Sequence, residues 1–163
     1  MESTNVALVL KQATTGWLLK QGYSSHLELG LVSWGKLRAD VLAVNLKSNI
    51  VLVEIKSSRQ DFLTDSKWEK YIPFCNKMYF CFSSHTYDSL KKSNHITPIL
   101  SKGVGVLVHD NSTGRVRVKH VAKLKPMILR VKWCLLTRMA WRTGVSKRTN
   151  RRVSAKIKGV FTE

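Results

Sequence analysis

Three residues of this chain could do chemistry together: Asp40, Glu54 and Lys56. Glu54 and Lys56 sit in the run VLVEIKSS, where every other early residue is apolar. Burying a charge is costly unless it is paired or bound to a metal. In an extended strand, positions i and i+2 share a face. Glu54 and Lys56 therefore project together, while Val53 and Ile55 point into a core. Asp40 belongs to the apolar stretch just upstream, and a hairpin between the two stretches brings it beside Glu54. Two carboxylates and a backbone carbonyl, such as that of Ile55, form a hard-oxygen set suited to Mg²⁺. A water on such an ion can attack phosphorus. A lysine beside it can orient or help deprotonate that water and stabilise the developing negative charge. The chemistry such a set would perform is phosphodiester hydrolysis. The plain alternative is a structural ion pair at a strand end, since an acid-x-Lys triplet alone is common.

The elements that must position these residues follow from periodicity. Residues 36–46 and 50–56 alternate as strands around a turn at 45–49, which predicts an antiparallel hairpin. Upstream, Val6, Val9, Leu10, Ala13 and Trp17 repeat at helical spacing over 4–21, and Gln21-Gly22 ends that helix. YSSHLELGLVSWG then reads as a loop carrying Glu28. Downstream, Ser57 or Ser58 can cap a helix running to about Tyr71, with Phe62, Trp68 and Tyr71 on it and Pro73 as its limit. Asp61 and Asp65 would share one face of that helix. KMYFCFS is a third strand and 87–92 a short helix. Residues 104–109 and 115–120 flank the turn DNSTG as a second hairpin. A last helix from Pro126 carries the stripe Ile128, Val131, Leu135 and Met139, with Trp133 and Trp141 expected to pack on the sheet. The whole reads as an α/β protein with a central mixed sheet flanked by helices.

Composition narrows the partner. The 163 residues carry a net charge of +18 and are 44% apolar, enough for one domain with a core. Residues 1–110 hold 13 basic and 9 acidic side chains, whereas residues 111–163 hold 15 and one. So one-sided a charge calls for a polyanion, most commonly nucleic acid. Lys147, Arg148, Arg151, Arg152, Lys156 and Lys158 fall in a stretch too polar to bury. They divide the chain into a domain over 1–142 and a basic tail over 143–163. Contacts of this type hold phosphates without reading bases. The three cysteines show no CxxC pair, which fits a reducing compartment. Cys75, Cys81 and His85 lack the tight paired spacing of structural zinc sites. The five histidines are scattered, and each reads as ordinary surface or core. No apolar run is long enough to span a membrane, and MESTNVALVLKQ is unlike a secretory signal, so a cytoplasmic or nucleoid setting is expected.

One resemblance spans about half the chain. R-A-D-V-L-A-V, V-E-I-K-S-S, D-F-L-T-D-S-K-W-E-K-Y and C-N-K-M-Y-F-C-F, in that order, resemble the MmcB-like branch of the PD-(D/E)XK nuclease superfamily. The resemblance implies a restriction-endonuclease-like core. It implies that Asp40 and Glu54 ligate Mg²⁺ or Mn²⁺, with the Ile55 carbonyl beside them, and that Lys56 is the catalytic lysine. Glu28 stands where many members supply an acid that supports a metal through water. Members often draw a polar or basic residue from the helix after the catalytic strand, which points to Lys67 and Tyr71. The proline that precedes the aspartate in the family is Ala39 here; it shapes backbone and ligates nothing. The expected activity is a metal-dependent DNA endonuclease of repair or recombination. Lys36, Arg38, Lys67, Tyr71, Lys147, Arg148, Arg151, Arg152 and Lys156 are the expected nucleic-acid contacts. Nucleases of this kind commonly cut a duplex as two copies, so the resemblance also carries the expectation of a homodimer. The rival readings are a branched-DNA resolvase, a non-catalytic nucleic-acid-binding protein, and an accessory subunit whose tail docks to a partner.

Overall fold

A computed structural model of the chain describes residues 2–32 and 37–143. The chain divides into two units after Ile128. The first holds α1 (Glu2–Lys20), β1 (Tyr23–Gly30), β2 (Arg38–Asn45), β3 (Ile50–Lys56), α2 (Arg59–Leu63), a 3-10 helix (Trp68–Phe74), β4 (Lys77–Ser83), α3 (Ser84–Lys92), α4 (Thr97–Ser101), β5 (Gly105–Asp110) and β6 (Arg115–His120). The second holds α5 (Leu129–Thr143).

The six strands form one sheet in sequence order. β1, β2 and β3 run antiparallel, β3, β4 and β5 parallel, and β6 returns antiparallel to β5. Every residue of β3 is buried, as expected for a strand in the middle of a sheet covered on both faces. Alternation splits its side chains between two packed layers. Val51, Val53 and Ile55 meet Val41 and Ala43 of β2, Tyr79 and Cys81 of β4, and Leu10 and Leu18 of α1. On the other face Phe62 of α2 stands edge-on to Phe80 and Phe82, with ring centroids 5.2 and 5.3 Å apart. Trp68 packs edge-on against Phe80 at 5.9 Å, so its role is packing. Asn76 fixes the entry to β3: its Oδ1 accepts from the Ile50 amide at 2.9 Å, and its Nδ2 donates to the Lys125 carbonyl at 2.9 Å.

Several expectations are corrected. The segment read as a loop around Glu28 is strand β1. Its polar edge position hides it, because only part of it is buried and Ser24, Ser25 and Gly30 break the apolar pattern. The helix expected over 58–71 is two pieces. Ser58 does cap the first, accepting from the Asp61 amide, but the chain leaves the helix at Thr64 and resumes as 3-10 at Trp68. The buried side of α1 centres on Leu10, Thr14 and Leu18, and Val6 and Val9 are exposed. Gly22, at φ +79°, ends α1 in the left-handed region. α4 was not foreseen, and α5 begins at Leu129 rather than Pro126. Trp133 and Trp141 are exposed. Lys36, Lys147, Arg148, Arg151, Arg152, Lys156 and Lys158 lie outside the described residues.

Candidate active site

The register of β2 on β3, with Val41 opposite Val53, sets Asp40 across from Glu54. Each carboxylate is held by the other strand's backbone. The Asp40 amide donates to Glu54 Oε1 at 3.2 Å, and the Ile55 amide donates to Asp40 Oδ2 at 2.9 Å. Glu54 is buried, and that burial, then the neighbouring Asp40 charge, pushes its pKa up to about 8. A cation beside the pair would favour the ionised form.

Lys56 projects to the same face as Glu54. Its Nζ lies 2.6 Å from Asp65 Oδ2, 3.9 Å from Asp61 Oδ1 and 5.9 Å from the Phe80 ring centroid. The break between α2 and the 3-10 helix makes the Asp65 contact. Thr64 caps α2, the chain turns, and Asp65 Oδ1 accepts from the Lys67 amide at 2.8 Å while Oδ2 meets the lysine. Asp61 Oδ2 accepts from the amide of Ser57 at 3.0 Å and its hydroxyl at 3.2 Å, which anchors the chain just after Lys56.

Glu28 reaches the same place from β1. Leu27 pairs with Val41 and Leu29 with Ala39, so Glu28 stands across from Asp40, at φ +53°. Its carboxylate pairs with Lys11 of α1, and Arg38 Nε lies 2.7 Å from its Oε2. Lys11 Nζ also lies 3.4 Å from Asp40 Oδ1. Partial burial pulls the Lys11 pKa down, but the Glu28 hydrogen bond and the nearby carboxylate charges outweigh it and the net shift is upward. These groups line a cavity of about 690 Å³, together with Tyr71 and Leu37.

A family model of MmcB-like DNA repair proteins matches residues 1–130. The chain belongs to the MmcB-like family. Among solved structures it is similar to the SPO1766 protein of unknown function from Silicibacter pomeroyi, with 21% identity and a TM-score of 0.68 over 96% of this chain and 94% of that one. This likeness shows a shared fold. Weaker likenesses, with TM-scores of 0.46 and 0.48, run to an XisH family protein from Nostoc punctiforme and an fdxN element excision controlling factor protein from Anabaena variabilis. They are 17% and 18% identical, cover 69% of this chain, and span 98% and 96% of their own. No curated protein matches the chain.

Membership in a DNA repair family agrees with the basic composition, and the α/β sheet is the restriction-endonuclease-like core expected of it. The donor set fits one hard divalent cation. Asp40 and Glu54 each spend one oxygen on the opposite strand's amide, which leaves Asp40 Oδ1 and Glu54 Oε2 outside those bonds beside Ile55. Magnesium sites commonly take only one or two protein carboxylates and fill the rest with water and substrate phosphate. Among the described residues no three Asp, Glu, His or Cys side chains form a metal cage. Burial pushes the Cys75 and Cys81 thiols up to about 12, as for inert core cysteines.

The structure brings Glu28, Arg38, Asp40, Glu54, Ile55, Lys56 and Tyr71 to one cavity. Tyr71 is buried and donates to the Arg38 carbonyl at 3.3 Å, and burial and the Glu54 charge hold its phenol neutral. Lys67 is exposed and borders an adjoining cleft with Asp65 and Tyr71. Sequence reasoning missed Lys11 altogether. It named Asp65 only as a helix-face partner of Asp61. The one available signal for Lys11 was a basic residue inside an otherwise apolar helical stretch.

Proposed function

We propose that this protein is a metal-dependent DNA endonuclease. The observation that carries the reading is the interlocked pair Asp40–Glu54 with Lys56 fixed two residues along the same strand. A buried carboxylate held beside another carboxylate is unfavourable on its own, and a bound cation relieves it.

Asp40 and Glu54, with the Ile55 carbonyl, would hold Mg²⁺ or Mn²⁺, which supplies charge neutralisation at the phosphate and a more acidic water. The chain's own residues do the rest. Lys56 directs its ammonium at the attacking water and offsets negative charge as that water adds to phosphorus and the ester bond breaks. Asp65 and Asp61 hold Lys56 in position. Arg38, at the cavity rim with its side chain largely exposed, offers its guanidinium to a backbone phosphate. DNA as substrate follows from the family and from the net charge of +18.

The test is cleavage of supercoiled plasmid, linear duplex and a four-way junction, with Mg²⁺, Mn²⁺ or EDTA, by wild type, Asp40→Ala and Lys56→Ala. The reading requires metal-dependent cutting that both variants lose while still binding DNA. Preference for the junction would make the enzyme a resolvase. Tight binding without cutting of any substrate would leave a nucleic-acid-binding protein.

A further inference from the structure

We infer that Lys11 occupies the place of a second cation, so that the site takes a single divalent ion on Asp40 and Glu54. The inference rests on the nuclease reading and names the cation stoichiometry of the same site.

Two-metal phosphodiesterase sites need a carboxylate that bridges both ions, which sit about 4 Å apart. Asp40 has an acid on each side, Glu54 from β3 and Glu28 from β1. On the side facing Glu28, a second ion bridged through Asp40 would meet the Lys11 ammonium. Oδ2 accepts the Ile55 amide at 2.9 Å, and Oδ1 lies 3.4 Å from Lys11 Nζ. Glu28, the acid a second ion would need, pairs with Lys11 and with Arg38 at 2.7 Å. A dication between Glu28 and Asp40 would have to displace one ammonium and sit beside a guanidinium. Like charges at that range repel, and the site's interior screens them less than water does. Among the described residues no ion pair reaches Glu54, and Lys56 is turned to Asp65 and Asp61. The cavity is thus divided into a half already neutralised by α1 and a half that still needs a cation. An ammonium anchored on a long helix supplies, without dehydration of an ion, the positive charge that a second metal would supply.

The test is Mn²⁺ binding to the full chain, followed by electron paramagnetic resonance of the free ion, with folding checked by circular dichroism. Wild type is expected to bind one ion, Lys11→Met two, and Lys11→Met with Glu28→Gln one. Lys11→Arg, which keeps the positive charge, is expected to bind one ion, and the count in wild type decides the stoichiometry even if Lys11→Met does not fold. Two ions in wild type, two in Lys11→Arg, or one ion in folded Lys11→Met would overturn the inference and leave the nuclease reading standing. No ion bound by wild type would overturn both.

Discussion

Lys56 Nζ lies 2.6 Å from Asp65 Oδ2, although Lys56 ends a core strand and Asp65 sits in the break between two helices. Both side chains are largely buried, at 8% and 11% exposure, so the contact is little screened. In the proposed nuclease, Asp65 would act by holding the lysine that meets the water. Asp65→Asn is expected to lower cleavage by roughly tenfold to a hundredfold, the scale of a misplaced catalytic group. DNA affinity, measured by fluorescence anisotropy in EDTA, is expected to stay as in wild type. Full cleavage by the folded variant would remove Asp65 from the mechanism.

Glu54 sets a pH dependence. Its pKa is raised from 4.5 to about 8 in the folded chain, by burial first and by the Asp40 charge second. A raised acid stabilises the fold fully below its unfolded pKa, and that contribution is lost as pH rises through the folded value. Without metal, wild type is therefore expected to lose stability relative to Glu54→Gln between about pH 4.5 and pH 8. Urea denaturation of both proteins in EDTA across that window checks it. Parallel curves would show that Glu54 does not titrate as described.

Metal affinity should follow the same proton. The ion must displace it, so Mn²⁺ binding is expected to strengthen as pH rises toward about 8 and to level off above. Calorimetry in buffers of different ionisation enthalpy would report the proton released. Binding independent of pH with no proton release would contradict this.

Gly105 opens β5 where the backbone passes very close to Tyr79. A Cβ there would lie 2.4 Å from Tyr79 Cε1 and 2.6 Å from the Ala122 amide nitrogen. Tyr79 is buried and braced by Trp17 at 6.1 Å, so it has little room to yield. Gly105→Ala is expected to destabilise the fold by about 1–3 kcal/mol, the usual cost of overpacking. Chemical denaturation measures it, and an unchanged midpoint would contradict the packing described.

Asn76 tests the support of β3, the strand that carries Glu54 and Lys56. Asn76→Ala strands the buried Ile50 amide and is expected to cost about 1–3 kcal/mol. Hydrogen exchange should show the loss first at the start of β3. Unchanged protection there would mean that Asn76 does not hold the strand.

What was legible in the sequence was what alternation and apolar runs encode. β3, β4 and β6 begin and end as their patterns suggest: β3 and β4 are apolar runs buried on both faces, and β6, largely exposed, is set by the turn that precedes it. Asp40 beside Glu54 followed from a short turn that joins the two strands as an antiparallel hairpin. β1 was hidden because an edge strand with serines carries little apolar signal. The Asp65 contact was hidden because it depends on α2 stopping at Leu63, and nothing in DFLTDSKWEK enforces that stop on periodicity alone. Lys11 was illegible for another reason. Its partners Glu28 and Asp40 lie on strands whose placement against α1 is a tertiary fact, and charge alone does not reveal it.

The most direct measurement is Mn²⁺-dependent cleavage of plasmid DNA by wild type and Lys56→Ala, matched for DNA affinity, with EDTA as control. The account predicts cutting by wild type with metal, none with EDTA, and a loss of at least roughly a hundredfold in Lys56→Ala, the usual scale for removing a group that stabilises charge developing in the transition state. Cutting by Lys56→Ala at the wild-type rate would contradict it, and so would cutting by wild type in EDTA.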